Sequence, residues 1–233
     1  MDAESLATEF VEVEKRDSIV EDKKFAAKIL SSQEPDVVAL HFELLKKRDN
    51  WMLYIMLRDA FAKGRSVAEQ FLIQRIQTEK DHELQKEALH FLGYLRSKEA
   101  RRYAREFVLN KNSDLRETAC YVLGWVCEAG DIPLLQDRLL NDSEQEVRIT
   151  AATSLDQVRM RLPGETERIR AILAQALRKE DEGEVIAWIV ITLQYVMGAN
   201  FGLEEVIEEG EYRGNVRLAK ERASKALGIE DHS

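Results

Sequence analysis

One segment is written nearly twice between Asp81 and Asn141. Leu84, Ala88 and Leu92-Gly93 return as Leu115, Ala119 and Leu123-Gly124, an offset of 31 residues (84 to 115). Within each set the apolar residues fall at i, i+4 and i+8, which is one face of an α-helix. A second apolar run follows each set: Tyr103, Phe107 and Val108 after the first, Leu134, Leu135, Leu139 and Leu140 after the second. A period of roughly 30 to 45 residues with one helix pair per period is the signature of an α-solenoid. A single pair cannot bury its apolar face alone, so successive pairs must stack. The expected fold class is all-α: an α-α superhelix of about six helical hairpins behind an N-terminal capping helix.

The frame extends beyond the doubled segment. Each pair has a first helix (A) and a second helix (B). Subtracting 31 from Leu84, Ala88 and Leu92 gives Leu53, Leu57 and Phe61, all apolar. The expected pairs are 35–48 with 50–63, 66–78 with 81–96, 98–110 with 113–128, 131–141 with 143–160, and 163–179 with 182–198. Val147, Ala151 and Leu155 carry the stripe in the fourth pair, and Val185, Ile189 and Leu193 in the fifth, with an insertion near Met160–Thr166. A sixth pair has a stunted A helix over Gly202 to Glu209 and closes on Ala219, Ala223 and Leu227-Gly228. Leu6, Phe10 and Val13 mark an amphipathic segment before the frame, and Phe25, Ile29 and Leu30 mark another. Asn112-Ser113-Asp114 and Asn141-Asp142-Ser143 supply turn and N-cap chemistry before B helices. Gly93, Gly124 and Gly228 share one repeat position, where glycine permits close helix approach or a bend. Gly130 and Gly164 read as terminators between helices.

Three Pro and eleven Gly among 233 residues agree with a helical chain, and 45% hydrophobic residues suffice for one core. One repeat domain over 1–233 is expected, with a cap at 1–34, repeats at 35–229 and a tail at 230–233. No run approaches the 18 or more apolar residues of a membrane span, and MDAESLATEF has no basic region leading into an apolar stretch. Cys120 and Cys127 lie seven apart on one helix, about 10 Å along its axis and out of disulfide reach. A reducing cytoplasm is the expected location. The net charge of −9 disfavours nucleic acid, and steers the chain toward a basic protein partner. A monomer is expected.

Several of these runs resemble a known family. They are Asp114-Leu115-Arg116 with Ala119 and Leu123-Gly124, Ile132-Pro133-Leu134-Leu135 with Leu139-Leu140, and Glu146-Val147-Arg148 with Ala151-Ala152 and Leu155. Together they resemble the HEAT repeat, in the HEAT-like form first named from bacterial phycobilisome lyases. Val216-Arg217 with Leu227-Gly228 is a weaker echo. The resemblance covers 81–159 and extends over 35–229. It implies that B helices line the concave face, where partners of such repeats bind. It does not specify function, because HEAT repeats serve scaffolds, inhibitors, lyases and repair proteins.

No catalytic constellation is found. His82-Glu83 resembles the pairs by which HEAT-type deoxyhypusine hydroxylases hold iron, but those need several. This chain has only His41, His82, His90 and His232, with one His-Glu. No metal and no cofactor are expected. Cys120 and Cys127 lack a nearby histidine and read as core. B-helix positions beside the core stripe stack by pair into three rows. They are Lys63, Tyr94, Trp125, Gln157 and Tyr195; Asp59, His90, Tyr121, Thr153 and Ile191; and Met56, Glu87, Thr118, Thr150 and Trp188. His90/Tyr94 and Tyr121/Trp125 are i, i+4 pairs. His90, Tyr94, Tyr121, Trp125, Trp188 and Tyr195 are therefore the expected partner-binding residues, since Tyr and Trp are common interface anchors. The competing reading is that these rings fill gaps between repeats. Arg96, Lys98, Arg101, Arg102 and Arg105 form a basic turn, and Glu204, Glu205, Glu208, Glu209 and Glu211 an acidic block; solvated faces are the ordinary reading of both.

The expected function is a non-enzymatic protein-binding module: an adaptor, a scaffold, or an inhibitor of the immunity type. A HEAT-like DNA glycosylase of the alkylation-repair type would use Trp125, Trp188 and Asp59 around an extruded nucleotide. The rows, however, hold one firm cation, Lys63, and the chain is acidic. A chaperone resembling a bilin lyase is the third alternative.

Overall fold

The computed structural model describes residues 2–16, 18–32, 34–47, 49–206 and 210–229. Among these are thirteen α-helices and one two-stranded hairpin. The chain divides into two units, Met1–Glu79 and Lys80–Ser233.

The first unit holds α1 (Ala3–Arg16), α2 (Ile19–Leu30), α3 (Pro35–Leu44), α4 (Trp51–Lys63) and α5 (Arg65–Thr78). Leu6, Phe10 and Val13 of α1 face Phe25 and Ile29 of α2, and all five are buried. The Phe10 and Phe25 rings lie 5.9 Å apart. α2 packs on α4 and α1 beside α3, so the expected capping segment is itself a helical hairpin that stacks like a repeat. Pro35 opens α3, where its missing N–H costs nothing, and Asn50 caps α4 through Leu53 N–H at 3.0 Å. His41 is core: its Nε2 lies 2.9 Å from Leu57 O and its ring meets Phe61 edge-on. Burial depresses its pKa to about 4 against the pull of that backbone bond, so it stays neutral near pH 7.

The second unit holds α6 (His82–Tyr94), α7 (Lys98–Phe107), α8 (Ser113–Val126), α9 (Ile132–Asn141), α10 (Gln145–Arg161), α11 (Thr166–Lys179), α12 (Gly183–Met197), β1 (Leu203–Val206), β2 (Glu211–Gly214) and α13 (Val216–Ala226). The B helices α6, α8, α10 and α12 stack in one continuous row, and α7, α9 and α11 each pack on their own B helix. Leu92, Leu123 and Leu155 are buried equivalents, as are Ala88, Ala119 and Ala151. The insertion near Met160–Thr166 is absorbed by a longer α10 (17 residues) and a 3-10 turn at Pro163–Glu165. Gly130 and Gly164 sit in 3-10 turns that lead into α9 and α11, instead of closing the helices before them.

The sixth pair differs from the expected one. Leu203–Val206 is a strand, paired antiparallel with Glu211–Gly214 so that Leu203 faces Gly214 and Val206 faces Glu211. Among the described residues no A helix forms there, and the Gln194 side chain ties the hairpin to α12. Its Oε1 accepts from Phe201 N–H at 2.7 Å and its Nε2 donates to Leu203 O at 2.9 Å. Gly214, at φ +130, leaves no room for a side chain, because a Cβ would stand 2.4 Å from Gly202 O.

Successive B helices are joined by a repeated ion pair. Arg116, in the first turn of α8, donates to Asp142 before α10 at 2.8 and 2.7 Å. It also donates to the carbonyls of Asn110 and Lys111 before its own helix, at 3.1 and 2.9 Å. One pair later Arg148 does the same with Glu180 (2.8 and 3.3 Å) and with the carbonyls of Asp142 and Ser143. Burial opposes the Asp142 charge, yet Arg116, the Glu144 N–H and Arg138 hold its carboxyl below the usual carboxylate value. A lowered carboxyl pKa stabilises the fold above the unfolded value of 3.8 and loses that contribution as pH falls below it. Asp142→Ala would strand Arg116, whose side chain is only 10% exposed, and should cost about 3–5 kcal/mol at neutral pH. Urea unfolding should show the gap to wild type narrowing as pH drops below about 4. A constant gap would assign the loss to packing.

Candidate functional site

The aromatic rows come together on α6 and α8. Both helices bury Ala88/Leu92 and Ala119/Leu123, which turns His90, Tyr94, Tyr121 and Trp125 to the side. The His90 and Tyr121 rings stack nearly parallel, with centroids 5.3 Å apart and planes 5° from each other. Trp125 meets Tyr121 edge-on at 6.4 Å. Tyr94 and Tyr121 are 44% and 38% exposed, while His90 and Trp125 are half-buried. Gly93 makes this approach possible: a Cβ there would sit 2.9 Å from Val122 Cγ2 on α8. Gly124 does the same for α8 and α10, where a Cβ would meet Gln157 Oε1 at 2.1 Å and Ser154 Cβ at 3.2 Å. Gly228 has another role, lying at φ +65 just past α13 with nothing near. On α10 the rows continue as half-buried Thr150, Thr153 and Gln157, without rings.

Trp188 and Tyr195, on α12, turn to the hairpin. The Trp188 ring packs edge-on against Tyr212 of β2 at 6.3 Å, and the Tyr195 hydroxyl donates to Glu205 Oε2 of β1 at 2.7 Å. Ile191, the intervening row position, is buried. The six expected residues thus form two groups, His90/Tyr94/Tyr121/Trp125 and Trp188/Tyr195.

The basic turn is not one solvated face. Arg101 and Arg105 both converge on Asp131, which is fully buried; Arg101 Nε lies 2.6 Å from its Oδ2 and Nη1 lies 2.9 Å from Glu128. Burial works against the Asp131 charge, but Arg101, the Glu128 N–H and Arg105 keep its carboxyl below the ordinary value. Arg102 bonds Glu99 at 2.8 Å and lies over the Tyr103 ring. Of the acidic block, Glu204, Glu205 and Glu211 belong to the hairpin. Glu208, Glu209 and His232 lie outside the described residues.

Cys120 and Cys127 are buried and unpaired with each other; burial raises both thiol pKa values, that of Cys127 to about 11. His82 is exposed beside Gln85. Among the described residues, no three His, Cys, Asp or Glu side chains gather to hold a metal, and no helix is long and apolar enough to cross a membrane. Asp59 bonds its neighbour Arg58 at 3.0 Å. Within the first unit, Trp51 and Met52 at the start of α4 are 61% and 43% exposed; the row pattern missed them because they precede the repeated positions. Tyr212 carries no repeat signal, because its strand falls between the expected sixth A helix and the closing stripe.

Residues 69–156 match the family model of HEAT repeats. Beyond that stretch, α11 and α12 continue the same stacked helical pairs. No curated protein matches it.

The hairpin contact has a spectroscopic consequence. The hydrogen bond to Glu205, burial and the Glu205 charge push the Tyr195 pKa up to about 12. Glu205→Gln should bring one tyrosine titration back toward 10, seen in ultraviolet pH titration as a difference from wild type. Superimposable curves would place the Tyr195 hydroxyl elsewhere.

Proposed function

We propose that this protein is a non-enzymatic binding module that grips another protein on the B-helix face of its second unit. HEAT repeats generally mediate such contacts, and a role as adaptor, scaffold or inhibitor fits the same surface. The observation that carries the reading is the ridge His90–Tyr121–Trp125 with Tyr94 beside it. Its rings are pre-stacked by Gly93, partly exposed, and set apart from the buried leucine stripe. Rigid aromatic rings lose little entropy on binding and supply large contact area. Trp188 and Tyr195 contribute by holding the hairpin at the end of the same row.

A buried aromatic anchor carries about 2 kcal/mol or more, so Trp125→Ala should weaken the complex by about 30-fold. Leu123→Ala, whose side chain is fully buried, should instead cost about 2–5 kcal/mol of stability. Calorimetric titration with a partner purified on the wild-type chain, alongside urea unfolding, separates the two effects. A Trp125→Ala chain that is folded and binds unchanged refutes the ridge, and one that unfolds makes the ring packing.

A further inference from the structure

Beside Trp125 lies a cleft of about 460 Å³ lined by Arg96, Lys98, Arg101, Arg161 and Glu128. Resting on the ridge reading, we infer that this cleft receives carboxylate side chains from an acidic segment of the partner protein, whose apolar neighbour sits on Tyr121 and Trp125.

The cations are unequal. Arg101 is engaged by Asp131 and Glu128. Arg161 spends one nitrogen on Cys127 O at 3.3 Å, and it, Arg96 and Lys98 are exposed. Lys98 opens α7, so the positive end of that helix adds to the field. One rim acid, Glu128, leaves a modest positive excess, matched to one or two carboxylates. A long polyanion would meet the field of a chain with net charge −9. A short acidic peptide, anchored on rings that continue directly from the cleft, meets less of that repulsion.

Arg96 itself carries a second sign. α6 ends in a paired turn in which Arg96 N–H bonds Gly93 O at 2.9 Å and Ser97 N–H bonds Leu92 O at 3.0 Å. The residue at that position is left-handed, usually glycine. Here it is Arg96 at φ +51, the one non-glycine residue with positive φ among the described residues. The backbone there favours glycine, yet an arginine side chain occupies the position and lines the cleft.

The test uses fluorescence anisotropy on the full chain. The probe is a dye-labelled peptide with one leucine followed by glutamates, compared with its glutamine counterpart and with a single-stranded oligonucleotide. The glutamate peptide should bind about tenfold tighter than the glutamine one, and lose that advantage as salt rises. Arg96→Gly should erase about tenfold of its affinity while the melting temperature holds or rises; Lys98→Gln should weaken it too. Equal binding of the two peptides, no binding of the glutamate peptide, or indifference to Arg96→Gly overturns the inference. A lower melting temperature in Arg96→Gly also counts against it, and tighter binding of the oligonucleotide makes the cleft a nucleic-acid site instead. Tyr121→Ala separates this inference from the ridge reading. If both peptides bind alike and both depend on Tyr121, the ridge stands and the cleft falls. If the glutamate peptide depends on Arg96 but not on Tyr121, the cleft stands and the ridge falls.

Discussion

The second unit depends on one interaction made twice: a first-turn arginine of a B helix holding the acid that precedes the next B helix. Arg116–Asp142 joins α8 to α10, and Arg148–Glu180 joins α10 to α12. Hydrophobic burial alone is non-directional and would let one helix slide along another. A bidentate guanidinium–carboxylate pair fixes both distance and rotation. The same guanidinium satisfies loop carbonyls that would otherwise be left unpaired at the turn. Such buried pairs are weak contributors to net stability, but breaking one is costly, so they serve register more than strength.

Register then decides what lies on the surface. With the leucine stripe turned inward and Gly93 letting α6 approach α8, the residues one step around the helix become neighbours across the gap. His90 stacking on Tyr121 is a direct result. Where the period lengthens after α10, the rows lose their alignment, and the hairpin takes over the face of α12. The ridge therefore belongs to α6 and α8, and the rings of α12 serve the hairpin.

The leucine stripes, most helix pairs and the close approach at Gly93 and Gly124 could be read from sequence because each obeys a local period. Asn112 likewise caps α8 through Leu115 N–H, as its position suggested. The hairpin could not: Leu203–Val206 is short and rich in glutamate, and its strand identity comes from pairing with Glu211–Gly214 and from the Gln194 side chain. Asp142 reads in the sequence as turn chemistry, because Arg116 lies 26 positions away. Trp188 meets Tyr212 of the hairpin, a neighbour that the repeat frame does not supply. The left-handed backbone of Arg96 has no sequence signature at all, since glycine is the residue that normally announces it.

The central claim, that a protein partner docks on the α6–α8 rings, is tested most directly by where contact occurs. A photo-crosslinking amino acid placed at Tyr121, and separately at exposed Arg102 on α7, would be irradiated with the purified partner bound. The ridge reading predicts a strong crosslink from position 121 and little from 102. Crosslinking from 102 with none from 121 would place the partner on the A helices and contradict it.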